Sequence, residues 1–99
     1  MFVMELTYTA PVDKVDAALA DHVTWLERLY EDGIALASGR KQPRDGGIII
    51  AAAKDRAEAE ALAATDPFVT AGVCEYRITE FLATKTAPAL AQYRQQLPG

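Results

Sequence analysis

The chain has 99 residues, 51% apolar and 24% charged, a composition that specifies one folded domain and excludes a disordered segment. Fourteen acidic against ten basic residues leave a net charge of -4, which excludes the basic face that a general nucleic-acid binder needs. The single cysteine, Cys74, cannot close an internal disulfide, and no second cysteine or histidine stands near it to complete a zinc site, so it reads as a small buried hydrophobe.

Phe2 to Thr9 alternates Phe2, Met4, Leu6 and Tyr8 with Val3, Glu5 and Thr7, the period of a half-buried strand that Pro11 closes. From about Val12 to Asp32, Val15, Leu19, His22, Leu26 and Leu29 recur at helical spacing, and Gly33 supplies the permissive backbone that ends the helix. Ile34 to Ser38 is a short apolar strand. Gly39 to Gly47 carries every turn signal, and the intensely apolar Ile48 to Ala53 pairs back as the third strand of a hairpin. Lys54 to Thr65 is a second helix with Asp55 at its N-cap and Glu58 three residues on, stopped by Asp66-Pro67. Val73 to Leu82 sets Cys74, Tyr76 and Ile78 against Glu75, Arg77 and Thr79 as a fourth strand, and Ala87 to Gln96 is compatible with a terminal helix.

The order βαββαβ is the split βαβ, or ferredoxin-like, arrangement: an α+β fold with an antiparallel sheet of order 4-1-3-2 and both helices on one face. It makes residues 1–99 a single domain, with a core over 1–83 and a tail over 84–99. So short a chain buries a modest core, and a second copy would relieve that limit. Val3, Val73 and Phe81 are expected on the face away from the helices, beside a Glu5–Arg77 cross-strand pair, and they predict a homodimer through that face. Met1 to Glu5 has no basic n-region or long apolar run, and nothing approaches the ~20 residues a membrane span needs, so a soluble cytoplasmic protein without membrane or nucleic-acid partners is expected.

The residue that breaks the apolar pattern is His22, the only histidine in the chain, placed in a stripe that otherwise carries hydrocarbon. An inward imidazole needs a partner, and Asp66 is the best placed acid. A carboxylate on one ring nitrogen fixes the tautomer and leaves the other as a base. Two simpler roles stand beside this one: His22 satisfied by a backbone carbonyl, and Asp66 capping the turn that Pro67 begins. Strand one, strand two and the second helix finish at the same end of the molecule, so Tyr8, Ser38, Arg40 and Asp66 should gather there. Ser38 has no nucleophile motif around it and is a binder at most. Trp25 and Phe68 are core aromatics by pattern and also candidate substrate contacts. No phosphate-cradling glycine motif or metal cluster is visible, so neither a cofactor nor a metal is expected.

His22 followed by Trp25-Leu26, the segment Ala37-Ser38-Gly39, and Asp66-Pro67-Phe68-Val69 running through Ala71-Gly72-Val73 together resemble the YCII-related family over roughly Met1 to Phe81. The resemblance implies a ferredoxin-like subunit paired as a dimeric α+β barrel, with His22 and Asp66 as its catalytic pair. It extends to a class that removes chloride from a chlorinated hydroxyhydroquinone, a lyase-type step begun by taking a proton from an acidic hydroxyl. The short Lys41 to Gly47 loop and the tail after Phe81 depart from several relatives, so the substrate does not transfer with the fold.

Two functions follow. One is a small cofactor-independent lyase, isomerase or dehydrochlorinase acting on a cyclic or enolic small molecule, with His22 as base, Asp66 as its partner, and Tyr8, Trp25, Ser38, Arg40 and Phe68 binding substrate. The other is a non-catalytic module that binds a metabolite or partner chain. An oxygen-using monooxygenase on the same barrel is less favoured.

Overall fold

The computed structural model describes residues 1–98. β1 (Phe2–Tyr8) lies inside the sheet and pairs antiparallel with both β3 (Gly46–Ala51) and β4 (Cys74–Glu80), and β2 (Ala35–Arg40) pairs antiparallel with β3. The sheet order β2-β3-β1-β4 is the one expected. Alternation along β1 decides which face is covered: Phe2, Met4 and Leu6 are at most 3% exposed, whereas Val3 and Glu5 are half-buried and Thr7 is exposed. Across the ladder Met4 sits opposite Ile49 and Ile78, and Leu6 opposite Gly47 and Tyr76, so these residues form the floor under the helices.

The helix layer differs from expectation in one respect. The stretch expected as one helix is two, α1 (Val12–Ala17) and α2 (Leu19–Glu31), joined where the Ala18 amide bonds only three residues back, to Val15. That spacing tightens one turn and interrupts the regular ladder. The inward stripe survives the break, with Val15 and Leu29 in the core and His22 buried between Leu19 and Leu26. α3 (Arg56–Thr65) begins as expected, the Asp55 carboxylate accepting the Glu58 amide at 2.8 Å. A further single turn, α4 (Pro67–Thr70), follows at once, capped by Asp66 and started by a proline whose missing N–H costs nothing at that position.

Both halves of the fold end their helical layer with the same device. Gly33 (φ +74°) donates to Tyr30 while Ile34 donates to Leu29; Gly72 (φ +72°) donates to Val69 while Val73 donates to Phe68. Each is a Schellman closure, and each needs a residue that tolerates left-handed backbone. The second closure corrects one expectation, since Val73 is drawn into the core instead of lying on the outer face.

β3 starts two residues earlier than expected, at Gly46, because the β1 ladder continues through Thr7. Gly46 is a glycine by necessity: a Cβ there would lie 1.8 Å from the Leu6 carbonyl oxygen. Glu5 does lie opposite Arg77, yet its carboxylate accepts from Lys41 of the β2–β3 loop at 3.3 Å, so the expected cross-strand ion pair gives way to one with the hairpin loop. The tail forms a 3-10 turn (Pro88–Tyr93) with no buried residue, in place of the expected helix. It is fastened by Gln95, whose Oε1 accepts from both the Met1 ammonium and the Ala83 amide, each at 2.9 Å. No helix is long and apolar enough to cross a membrane among the described residues.

Candidate functional site

Three elements converge on Asp66. The residue joins α3 to α4, is 0% exposed, and uses both carboxylate oxygens. Oδ1 accepts the Phe68 amide at 2.9 Å and stands 2.8 Å from His22 Nδ1; Oδ2 accepts the Tyr76 hydroxyl at 2.5 Å. A carboxylate receiving donors on every side is an acceptor only, which assigns a hydrogen to His22 Nδ1, so that in the neutral ring the lone pair is on Nε2. The expected His22–Asp66 contact is therefore present, and the turn-capping role of Asp66 is present with it. The capping bond and the imidazole bond fall on one oxygen.

His22 is held in plane as well as in tautomer. Its ring stacks on Phe68 with centroids 3.9 Å apart and planes 10° from parallel, and Trp25 flanks it at 5.6 Å. Among the described residues no buried side-chain nitrogen or oxygen lacks a partner and none bonds Nε2, so that nitrogen is not sealed within them. His22 lines a hollow of about 190 Å³. Its helical wall is Leu19, Val23 and Leu26, and its sheet wall is Leu6, Ile49 and the bare backbone of Gly46 and Gly47. A dry cavity of ~150 Å³ is known to admit benzene, so this hollow has room for one six-membered ring.

Tyr8, Ser38, Arg40 and Phe68 all line the hollow, as the shared strand ends require. Their polar atoms are not equally available. The Tyr8 hydroxyl accepts from Arg44 Nε at 3.3 Å, with Arg44 also bound to Asp16, and the Ser38 and Tyr30 hydroxyls lie 2.6 Å apart. Among the described residues Arg40 has no acidic partner within bonding distance, so it brings a cation to the hollow without a carboxylate from these residues to neutralise it. Trp25 lies outside the lining, its indole N–H donating to Thr65 Oγ1 at 3.0 Å. Asp66 stands behind His22 and does not reach the hollow itself.

Tyr76 is the participant that sequence reasoning missed. The signal was its inward parity on β4, because a tyrosine aimed into a core must find a partner for its hydroxyl. Burial, reinforced by the neighbouring Asp66 charge, pushes its phenol far above the usual value, so it stays a donor. The same two causes, burial first, push the Cys74 thiol up to about 11, which leaves it an inert neutral neighbour. Among the described residues no three His, Cys, Asp or Glu side chains cluster as a metal centre would require.

Fold and site together define a small α+β protein with a ferredoxin-like sheet and a buried imidazole–carboxylate pair facing a ring-sized hollow. The chain belongs to the YCII-related family, whose domain model matches residues 1–82. Among solved structures it is similar to the 5-chloro-2-hydroxyhydroquinone dehydrochlorinase of Burkholderia phenoliruptrix in complex with 2,5-dihydroxybenzoquinone, at 18% identity and a TM-score of 0.67. That match covers 82% of this chain and 93% of the other, and at this identity it speaks for the fold. No curated protein matches the chain at a significant level.

Proposed function

We propose that the chain is a small acid–base enzyme in which His22 Nε2 takes a proton from an acidic hydroxyl or enol of a single-ring substrate seated in the hollow. The observation that carries this reading is the 2.8 Å contact between His22 Nδ1 and a fully buried carboxylate, with the opposite ring nitrogen unbonded among the described residues and the ring lining the hollow. When Nε2 is protonated, the imidazolium forms beside the Asp66 charge and is stabilised by it. The electron pair released on the substrate oxygen moves into the ring. In an enol the double bond shifts and His22 returns the proton to carbon; where the carbon so made tetrahedral bears chloride, deprotonation of a conjugated hydroxyl forms the carbonyl, shifts the double bond and expels chloride with its bonding pair, the second proton passing from His22 to solvent. The reaction is thus of lyase, dehydrochlorinase or isomerase type, carried by the chain's own groups.

Phe68 and the leucines of α2 fit the flat apolar part of such a guest, while Arg40 and Ser38 suit its oxyanion. Trp25 backs the imidazole and not the guest. The bound dihydroxybenzoquinone of the structurally similar dehydrochlorinase supports a ligand of this size and polarity. A homodimer through the outer sheet face belongs to the same proposal, since Val3, Ile48 and Ile50 stay half-buried there and Phe81 is 43% exposed. Sedimentation as a monomer at micromolar concentration would remove that part.

The test is turnover of hydroxylated quinols, chlorinated quinols and small enolic acids, followed by absorbance and chloride release. His22→Ala should abolish product while circular dichroism and assembly stay unchanged. Saturable binding without product in the unaltered protein would make it a binding module instead.

A further inference from the structure

We propose that Tyr76 is a positioning residue for the His22 base, its hydroxyl setting how much of the Asp66 charge reaches the imidazole. The inference rests on the acid–base reading of the site. Asp66 receives three donors, of which one is the base and one is the backbone amide of Phe68, which no side-chain substitution removes. The third, Tyr76 on Oδ2 at 2.5 Å, is the adjustable one. A donor on the far oxygen draws carboxylate charge toward itself and weakens its hold on an imidazolium; a carboxylate relieved of that donor holds the imidazolium more strongly.

Tyr76 does not line the hollow, so it cannot act by touching the guest. The other polar groups around the ring are fixed during such a change. Cys74 on β4 is a neutral thiol, α4 carries no charged side chain, and Asp21 on α2 is exposed. Tyr8 on β1 and Arg40 on β2 line the hollow but do not bond Asp66, and Arg44 is engaged by Asp16 and Tyr8.

One histidine in the chain means one imidazole resonance, so proton NMR reads the His22 titration directly and without substrate. Tyr76→Phe should move its midpoint upward by about one pH unit. Replacing the four tyrosines with 3-fluorotyrosine keeps the fold and makes the phenol a stronger donor, and should move the midpoint downward. Opposite displacements identify a tuned donor, because a purely structural role has no reason to change sign. Midpoints that stay in place, or that move together, overturn the proposal. Should Tyr76→Phe fail to fold, the fluorinated chain decides by its own shift. Absence of turnover in the unaltered protein would sink the acid–base reading and leave this coupling measurable, so the two failures are distinct.

Discussion

Asp66 Oδ1 serves His22 Nδ1 at 2.8 Å and the Phe68 amide at 2.9 Å at the same time. The oxygen that orients the imidazole is the oxygen that starts α4, so the carboxylate cannot swing away from His22 without uncapping the helix that carries Phe68, the ring on which His22 stacks.

Removing that carboxylate should be among the most destabilising single changes in the chain. Asp66→Ala orphans three buried donors and is expected to cost about 3–5 kcal/mol, whereas Asp66→Asn keeps one acceptor and should cost about 1–3 kcal/mol. Urea unfolding midpoints measure both. A loss below about 1 kcal/mol for the alanine variant would mean the network contributes little to folding.

The two Schellman glycines should respond to backbone geometry alone. A Cβ at Gly33 or Gly72 meets nothing within 4 Å, so Gly33→Ala and Gly72→Ala should each cost about 1–2 kcal/mol purely from left-handed backbone. Gly39 has equal space and no positive φ, and Gly39→Ala should be neutral or stabilising. Equal effects at all three sites would refute this account.

Arg40 lines the hollow with no acidic partner among the described residues, and Arg40→Gln should weaken binding of ring compounds bearing a negative charge about fivefold to tenfold, with little effect on neutral analogues. Calorimetric titration of a matched charged and neutral pair reads the difference. Folding stability should change by less than about 0.5 kcal/mol, because the side chain is exposed.

Alkaline pH should destabilise the protein through β4. Cys74 is pushed up to about 11 and Tyr76 is also raised, so the folded chain keeps both protons after the unfolded chain, with ordinary values of ~8.5 and ~10, has begun to lose them. With fewer protons bound to the unfolded state, stability is intact below about pH 8 and declines as pH climbs through the raised folded values. Urea midpoints between pH 8 and 10.5 should fall, and Tyr76→Phe should flatten the part above about pH 10. A level profile would contradict the burial assigned to these groups.

The sheet order and the His22–Asp66 pairing were legible because both follow from periodicity: strand parity fixes the faces, and one imidazole in a hydrocarbon stripe demands a partner. Tyr76 was hidden by the same regularity, since inward parity on β4 makes it look like any core aromatic until α3, α4 and the sheet are assembled around Asp66. Trp25 follows His22 by less than one turn, yet its indole bonds Thr65, a choice made by the end of α3 and invisible in local sequence. The turn at Ala18 has no proline or glycine to announce it, and the tail lacks the inward stripe that would have distinguished a docked helix from a 3-10 turn. Ser38 lines the hollow at the end of the sheet, but its Tyr30 partner depends on how α2 lies over the β2 edge.

The hollow has one wall of replaceable hydrocarbon on α2, and part of the opposite wall is naked main chain at Gly46 and Gly47, where Gly46 tolerates no added carbon. Natural variation or laboratory redesign can therefore recut the guest's outline through Leu19, Val23 and Leu26 on the helical side and through Leu6 and Ile49 on the sheet side, but not at Gly46. The Gly46 backbone is the fixed part of the template, and new chemistry in this scaffold would come by changing the side chains set around it.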